Sequence, residues 1–259
     1  MPRLRISHAA FSVAFPLQLF AACNALNFDK LAKWFSLGDG LDYAGLSAYL
    51  LAGLCLFIAF FVLLAHRYTI KPAAILLAAL SAAATYFISK YNVAIDSSMM
   101  LNVVHTDSTE VGQLASLQML PYAVFLIVLP VLAILSADIT FRPSGRYLLA
   151  SAGVFTAAFV VAVAALYLNH NSVIRAGNVS KKYIVYSLVP INFLSGGINA
   201  AYKSLKPHFG SKKEVEIRGR VVLPANLVVV LTIGESSRSR NFSLYGYGRR
   251  DTNPALRQI

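Results

Sequence analysis

Seven residues, Leu227 to Ile233 (Leu-Val-Val-Val-Leu-Thr-Ile), run directly into Gly234-Glu235-Ser236-Ser237-Arg238. The run is largely β-branched and of strand length. An unbroken apolar run this short suits a buried parallel strand better than a half-exposed one. Proteins of the α/β class place their chemistry at the carboxyl ends of such strands. Gly234 permits a tight turn there, and the Glu235 carboxylate can ligate zinc or another divalent metal. The residues alone equally allow a polar residue capping a helix that begins at Ser236 or Ser237. A serine nucleophile at Ser236 is a third reading, because Gly-x-Ser after a strand resembles a nucleophile elbow. That elbow wants glycine two residues after the serine, and Arg238 stands there.

A lone strand cannot bury itself. The expectation is a globular α/β domain that begins near Leu223 and is incomplete in this chain. Asn253-Pro254 signals a turn, and the sequence stops soon after it. The polar stretch Gly210 to Gly219 reads as a linker. The part before it has a different character. The sequence is 57% hydrophobic and only 13% charged, with a mean hydropathy of +0.62. Soluble domains run near one quarter charged. Five stretches lack Asp, Glu, Lys and Arg: Ala9 to Phe28, Tyr43 to Ala65, Pro72 to Ser89, Val111 to Ala137 and Tyr147 to Asn169. A helix needs about 20 apolar residues to cross the hydrocarbon core. All five runs meet that length, the third only barely. The expectation is therefore an all-α transmembrane bundle of about five helices, followed by the first strand of the α/β domain.

The net charge of +12 (23 basic minus 11 acidic residues) would suggest nucleic acid on a soluble protein. Here the cations punctuate apolar runs, so they report topology and contact with anionic lipid head groups. No basic stripe interleaved with exposed aromatics supports a nucleic-acid partner. Arg3 and Arg5, then His66, Arg67 and Lys71, then Arg142 and Arg146 mark alternate joins. The other joins, Asp29 to Asp42 and Lys90 to Glu110, are richer in acid. The positive-inside rule puts the N-terminus in the cytoplasm and everything after about residue 170 outside. The basic start, Met-Pro-Arg-Leu-Arg-Ile-Ser-His, precedes an uncleaved first helix, since no small-x-small site with a globular sequence follows. Cys23 and Cys55 lie within apolar runs and read as small hydrophobes.

Tyr183 to Tyr202 is also uncharged throughout, but Pro190, Asn192, Gly196, Gly197 and Asn199 weaken it as a span. It reads as an interfacial helix on the membrane surface. The cations after it, Lys203 to Arg220, argue by charge alone for a sixth crossing. The expected division is 1–175 transmembrane, 176–222 interfacial helix and linker, and 223–259 start of the α/β domain.

The segment Val229 to Leu256 (Val-Val-Leu-Thr-Ile-Gly-Glu-Ser-Ser-Arg-Ser-Arg-Asn-Phe-Ser-Leu-Tyr-Gly-Tyr-Gly-Arg-Arg-Asp-Thr-Asn-Pro-Ala-Leu) resembles the opening of the catalytic domain of the lipid A phosphoethanolamine transferases. So does Asp96-Ser97-Ser98-Met99 followed by Asn102-Val103-Val104-His105-Thr106-Asp107-Ser108-Thr109-Glu110, in the join after the third helix, resemble that family, and so does the five-helix layout. The resemblance covers the whole chain and less than half of a family member.

That resemblance implies a bacterial inner-membrane, multi-pass enzyme whose periplasmic domain has the sulfatase and alkaline-phosphatase fold. It implies transfer of phosphoethanolamine from phosphatidylethanolamine, the donor, to lipid A, the acceptor, through a covalent intermediate activated by zinc. It makes Glu235 a zinc ligand and puts head-group binding on Asn102, Thr106 and Glu110. These three sit at spacing four and share one face if the segment is helical; an ordinary polar loop is the alternative. The nucleophile and the other ligands are expected beyond residue 259, so the 259-residue chain alone is expected to be inactive. Asp251 and His208 do not match the family's ligand positions. Gly-Glu-Ser-x-Arg also occurs in branches that modify core sugars, which leaves that acceptor as an alternative. A transporter or other non-catalytic membrane protein is the remaining class. Transport usually needs ionisable or polar groups at mid-membrane, and the spans offer none to nominate.

Overall fold

The computed structural model describes residues 4–37, 40–106, 116–179 and 186–209, together with Phe242, Ser243, Gly248 and Asp251. Contacts divide the chain into two units, Met1–Ser211 and Lys212–Ile259. In the second unit Ser243 is buried, and Gly248 and Asp251 are exposed. The strand expected over 227–233 and the residues around Glu235 lie outside the described residues.

The first unit is helical. In chain order it contains β1 (Leu4–Ser7), α1 (His8–Ala25), α2 (Phe28–Trp34), β2 (Ser36–Leu37), β3 (Gly40–Leu41), α3 (Tyr43–Leu64), α4 (Ile70–Tyr91), α5 (Ser97–His105), α6 (Leu117–Ser136), β4 (Ala137–Thr140), α7 (Ser144–Leu168), α8 (His170–Val179) and α9 (Ile191–Phe209). Among the described residues, α3, α4, α6 and α7 are long and apolar enough to cross a membrane. A fifth span follows if α1 and α2, bent by 78° at their junction, count as one broken crossing. Among the described residues, each of the five expected runs thus lies mainly in helix.

Local chemistry sets the ends. Ser7, Asp42 and Asp96 each accept a backbone N–H from the first turn of α1, α3 and α5, and such a cap is worth about 1 kcal/mol. Asn92 ends α4 in the left-handed conformation, with φ 52°, which asparagine tolerates better than most residues. α6 is irregular. It opens as a 3₁₀ turn at Leu117–Met119 and passes through a π turn at Val124–Val128 before Leu129–Ser136. Pro130 has no N–H to give Leu126, and its ring would press on that carbonyl. The Leu129 N–H instead reaches back five residues to Val124, which widens the helix at that point.

The helices pack in the order α7, α3, α1, α4, α6. The α3–α7 seam is built from small side chains: Ala48, Ala52, Cys55 and Ala59 face Ala158, Ala162 and Ala165. Lipid tails are as apolar as leucine, so helices in a bilayer gain by close approach, and small residues at spacing four allow it. Phe11, Phe15, Phe57 and Phe61 fill the space between α1 and α3. Cys23 and Cys55 are buried, free thiols. α6 and α7 leave most of their apolar surface uncovered by protein, as lipid-facing helices should.

Tertiary polar contacts gather at two ends. At one end β1 pairs in parallel with β4, from Leu4 opposite Ala137 to Ser7 opposite Thr140. There the His8 ring donates from Nε2 to the Ala65 carbonyl at 2.7 Å, and Tyr147 donates to the same oxygen at 3.1 Å. Lys71 donates to the Ala137 carbonyl at 2.8 Å. At the other end lie the last turns of α1 and α4, the first turn of α3, and all of α5, α8 and α9.

The segment that could have been a sixth crossing belongs to that second end. Just before α9, Val189 exchanges two hydrogen bonds with the Asn24 side chain at the end of α1. Further along α9, Lys203 donates to the Ser97 hydroxyl at 2.7 Å. Both anchors are on one side of the bundle, so α9 lies along that end. Among its described residues the large apolar side chains Ile198, Tyr202 and Leu205 are exposed, at the 0, 4, 7 spacing of a single face. That face suits a membrane surface.

Candidate functional site

The site begins with α5. Its N-cap Asp96 accepts the Met99 N–H at 2.9 Å. Met99 and Met100 pack on the hydrophobic core. The partner of α5 is α9, and the approach is close. A side-chain carbon added at Gly196 would lie 2.9 Å from the Ile95 carbonyl oxygen. Glycine is required there, and the backbone of α9 can then touch the start of α5. Lys203 adds its bond to Ser97. α5 is thereby clamped at its start, and its last turn projects from the bundle.

The projecting turn carries the expected head-group residues. Asn102 is exposed on α5, and Thr106 caps it in extended conformation, with φ −66° and ψ 126°. The helix therefore stops at His105 and does not run on through all three positions. Thr106 nevertheless stays over Asn102, because its hydroxyl donates to the Asn102 carbonyl at 2.7 Å. Glu110 and Glu235 lie outside the described residues. Val103 and Val104, beside Asn102, are 56% and 75% exposed. An amide and a hydroxyl next to bare valines on a membrane-end helix offer a polar and an apolar contact side by side. An amphiphile needs both.

Three features of this end escaped sequence reading. The Asn24–Val189 pairing is one: Asn24 also donates to the Phe20 carbonyl at 2.8 Å, so a buried amide is satisfied inside an apolar run. Lys30 is another. Its ammonium bonds the Ile88 and Ser89 carbonyls and thus closes the last turn of α4, where a cation is favoured. It also lines a cavity of about 220 Å³ with Asn27, Trp34, Asn92 and Ser187. The third is Asp42, which joins α3 to α8. Its carboxyl is held below the ordinary range by the Ser172 hydroxyl, then by the Gly45 N–H and by Arg175, 3.2 Å away. Unusually placed polar residues, such as an amide within a span or a cation inside a short helix, are the signal that could have pointed to the first two.

No group of three or more His, Cys, Asp or Glu side chains that could hold a metal occurs among the described residues. Glu235, the metal ligand expected from sequence, lies outside them.

A family profile described as "Phosphoethanolamine transferase EptA/EptB" matches residues 53–205. The chain is 27% identical to phosphatidylethanolamine transferase Mcr-1 of Escherichia coli over 247 residues, which is 93% of this chain and 45% of that protein. It is 32% identical to phosphoethanolamine transferase EptA of Escherichia coli K12 over 196 residues, 72% of this chain and 35% of that protein. Among solved structures it resembles the integral membrane protein lipooligosaccharide phosphoethanolamine transferase A of Neisseria meningitidis. There the TM-score is 0.83 at 24% identity, over 99% of this chain and 48% of the other. The chain thus spans less than half the length of the relatives it matches. The structural likeness establishes the fold: a transmembrane helical bundle followed by the start of an α/β domain.

Proposed function

Because the chain belongs to the phosphoethanolamine transferase EptA/EptB family, we propose that it carries the donor-lipid site of an enzyme that moves phosphoethanolamine from phosphatidylethanolamine to lipid A. The observation that carries the proposal is the clamped helix α5. It holds Asn102 and Thr106 outward at the end of the bundle that also bears α9. The Asn102 amide can donate to a phosphate oxygen, and the Thr106 oxygen can accept from an ammonium. Glu110 would add the negative charge that an ethanolammonium group calls for. The exposed valines give the glycerol and upper acyl chain an apolar rest.

Orientation follows from charge. The opposite end carries Arg5, Arg67, Lys71, Arg142 and Arg146 against one acid, Asp138. The positive-inside rule makes that end cytoplasmic and the α5 end periplasmic, in a multi-pass inner-membrane protein. The division 1–175, 176–222 and 223–259 assigns the anchor, the interfacial strut with linker, and the beginning of the catalytic domain. Zinc is the expected cofactor. In this chain the proposal gives it one ligand, Glu235, whose carboxylate suits a divalent metal; when bound, zinc would supply Lewis-acid stabilisation of phosphoryl charge.

The test is mass spectrometry of lipid A and core oligosaccharide from cells expressing a version of the protein extended to the full length of its relatives. Phosphoethanolamine on lipid A, lost in Glu110→Ala and Glu235→Ala with membrane insertion intact, is the expected result. Label on core sugars alone would reassign the acceptor. Full modification by Glu110→Ala would remove the head-group site.

A further inference from the structure

At the end of the bundle opposite α5, a cavity of about 400 Å³ opens between the start of α4 and β4. Arg67, Lys71 and Asp138 are its charged walls, and Ile70, Ile139 and Phe141 its apolar ones. The volume lies within the range of small-molecule sites, about 300–1,000 Å³. Its electrostatics are one-sided. Asp138 is faced by Arg5 at 3.6 Å, so its charge is countered. Lys71 is fixed by the carbonyls of Leu135 and Ala137, at 3.4 and 2.8 Å. These bonds use two of its three N–H groups and leave its positive charge in the wall. Arg67 makes no hydrogen bond or ion pair to another described residue, although its guanidinium has five donors in a fork that matches phosphate.

We propose that this cavity binds the phosphate of an anionic phospholipid, at a site separate from the head-group residues on α5. The cavity sits where α4 begins and α6 ends, at the boundary between apolar spans and water. Basic pockets between transmembrane helices on the cytoplasmic side are suited to anionic head groups. From its rim an uncovered apolar track, Leu135, Leu132 and Val128, runs along α6. The spacing of three and four residues keeps the track on one face, as an acyl chain lying against the helix requires. A free phosphate ion would use Arg67 and Lys71 but neither the track nor the apolar walls. Those walls favour a lipid as the source of the phosphate. The proposal is independent of which reaction the protein catalyses.

The experiment is native mass spectrometry of the 259-residue chain in detergent, titrated with phosphatidylglycerol, phosphatidylcholine or inorganic phosphate. Wild type should retain phosphatidylglycerol over phosphatidylcholine. Arg67→Gln should weaken phosphatidylglycerol about fivefold, the share of one cation beside an anionic lipid, and Arg67→Lys should restore most of it. Arg142→Gln removes a cation of the same end that does not line this cavity and should change little. Equal loss in Arg142→Gln would mean diffuse surface attraction and overturn the site. Displacement of the lipid by millimolar inorganic phosphate would make it an ion site and overturn the lipid assignment.

Discussion

Two adjacent glycines in α9 should respond oppositely to the same change. A carbon added at Gly196 would stand 2.9 Å from the Ile95 carbonyl oxygen and 3.2 Å from the Asp96 carbonyl carbon. Ordinary contact begins at 3.4 Å, so the two backbones must part by a few tenths of an ångström. Neither obstacle is a side-chain tip that can rotate away, and Asp96 is the cap of α5. Overpacking of this kind costs about 1–3 kcal/mol. Replacing a helical glycine by alanine returns about 1 kcal/mol of helix propensity. At Gly197 the nearest atom is the flexible Met100 Cε, at 3.8 Å, so Gly197→Ala should keep the gain at no cost. The propensity term cancels between neighbours. The expected gap between the two variants is therefore about 1–3 kcal/mol, or roughly 2–12 °C in melting temperature for a unit near 200 residues. Thermal unfolding in detergent measures the gap, and hydrogen exchange should place the loss of protection in α5. Equal melting temperatures, or Gly196→Ala the more stable, would refute the claim that α9 positions α5 by close contact.

Other perturbations probe the remaining joints. A reporter fused after Leu205 should show periplasmic alkaline-phosphatase activity, and activity from a cytoplasm-only reporter at that place would reverse the orientation. Asn24→Leu keeps the branched shape but strands the Val189 N–H and carbonyl, so α9 should loosen with a loss of about 1–3 kcal/mol, read by denaturation in detergent. Asp42 has its folded pKa lowered by Ser172, Gly45 and Arg175. Its contribution is therefore full above the unfolded carboxyl value of about 3.9 and is lost as pH falls through the lower folded value. Asp42→Asn should be less stable than wild type at neutral pH, and the difference should shrink in that acid window.

Counting uncharged runs located every long helix but misjudged its ends, for a physical reason. The run Pro72 to Ser89 grew to Ile70–Tyr91, which takes in Lys71 and Lys90. A long cationic stem can lie along a helix end and keep its charge in polar surroundings, so a lysine does not stop a span. At its far end the run Val111 to Ala137 yielded Ala137 to β4. The β1–β4 pairing was invisible because its strands are very short and far apart in the chain, with Leu4 opposite Ala137. Gly196 and Gly197 read as weakness in a possible span. In the fold the first of them is a point of contact, a role that glycine's identity alone does not reveal. At the candidate site, Asn102 and Thr106 are expected from family resemblance alone, and the stop of α5 at His105 was not legible, since neither glycine nor proline marks it.

The arrangement also explains why polar groups sit where they do. Within the bilayer the helices meet mainly through small residues and phenylalanines, non-directional contacts that leave some freedom to slide along the seam. Directional bonds at the ends remove that freedom. The opposite end ties β1, the α3–α4 join, β4 and α7 together through Ala65 and Ala137, two backbone carbonyls that receive His8, Tyr147 and Lys71. The α5 end works differently. Its ties pass from α1 through Asn24 to Val189, along α9, and from Lys203 to Ser97. The helix that would meet the donor lipid is thus registered to the bundle through an amphipathic helix with an apolar face free for the membrane surface. A lipid head group lies at that surface, and a strut resting on it would hold Asn102 and Thr106 at head-group depth more directly than the α4–α5 connection alone could.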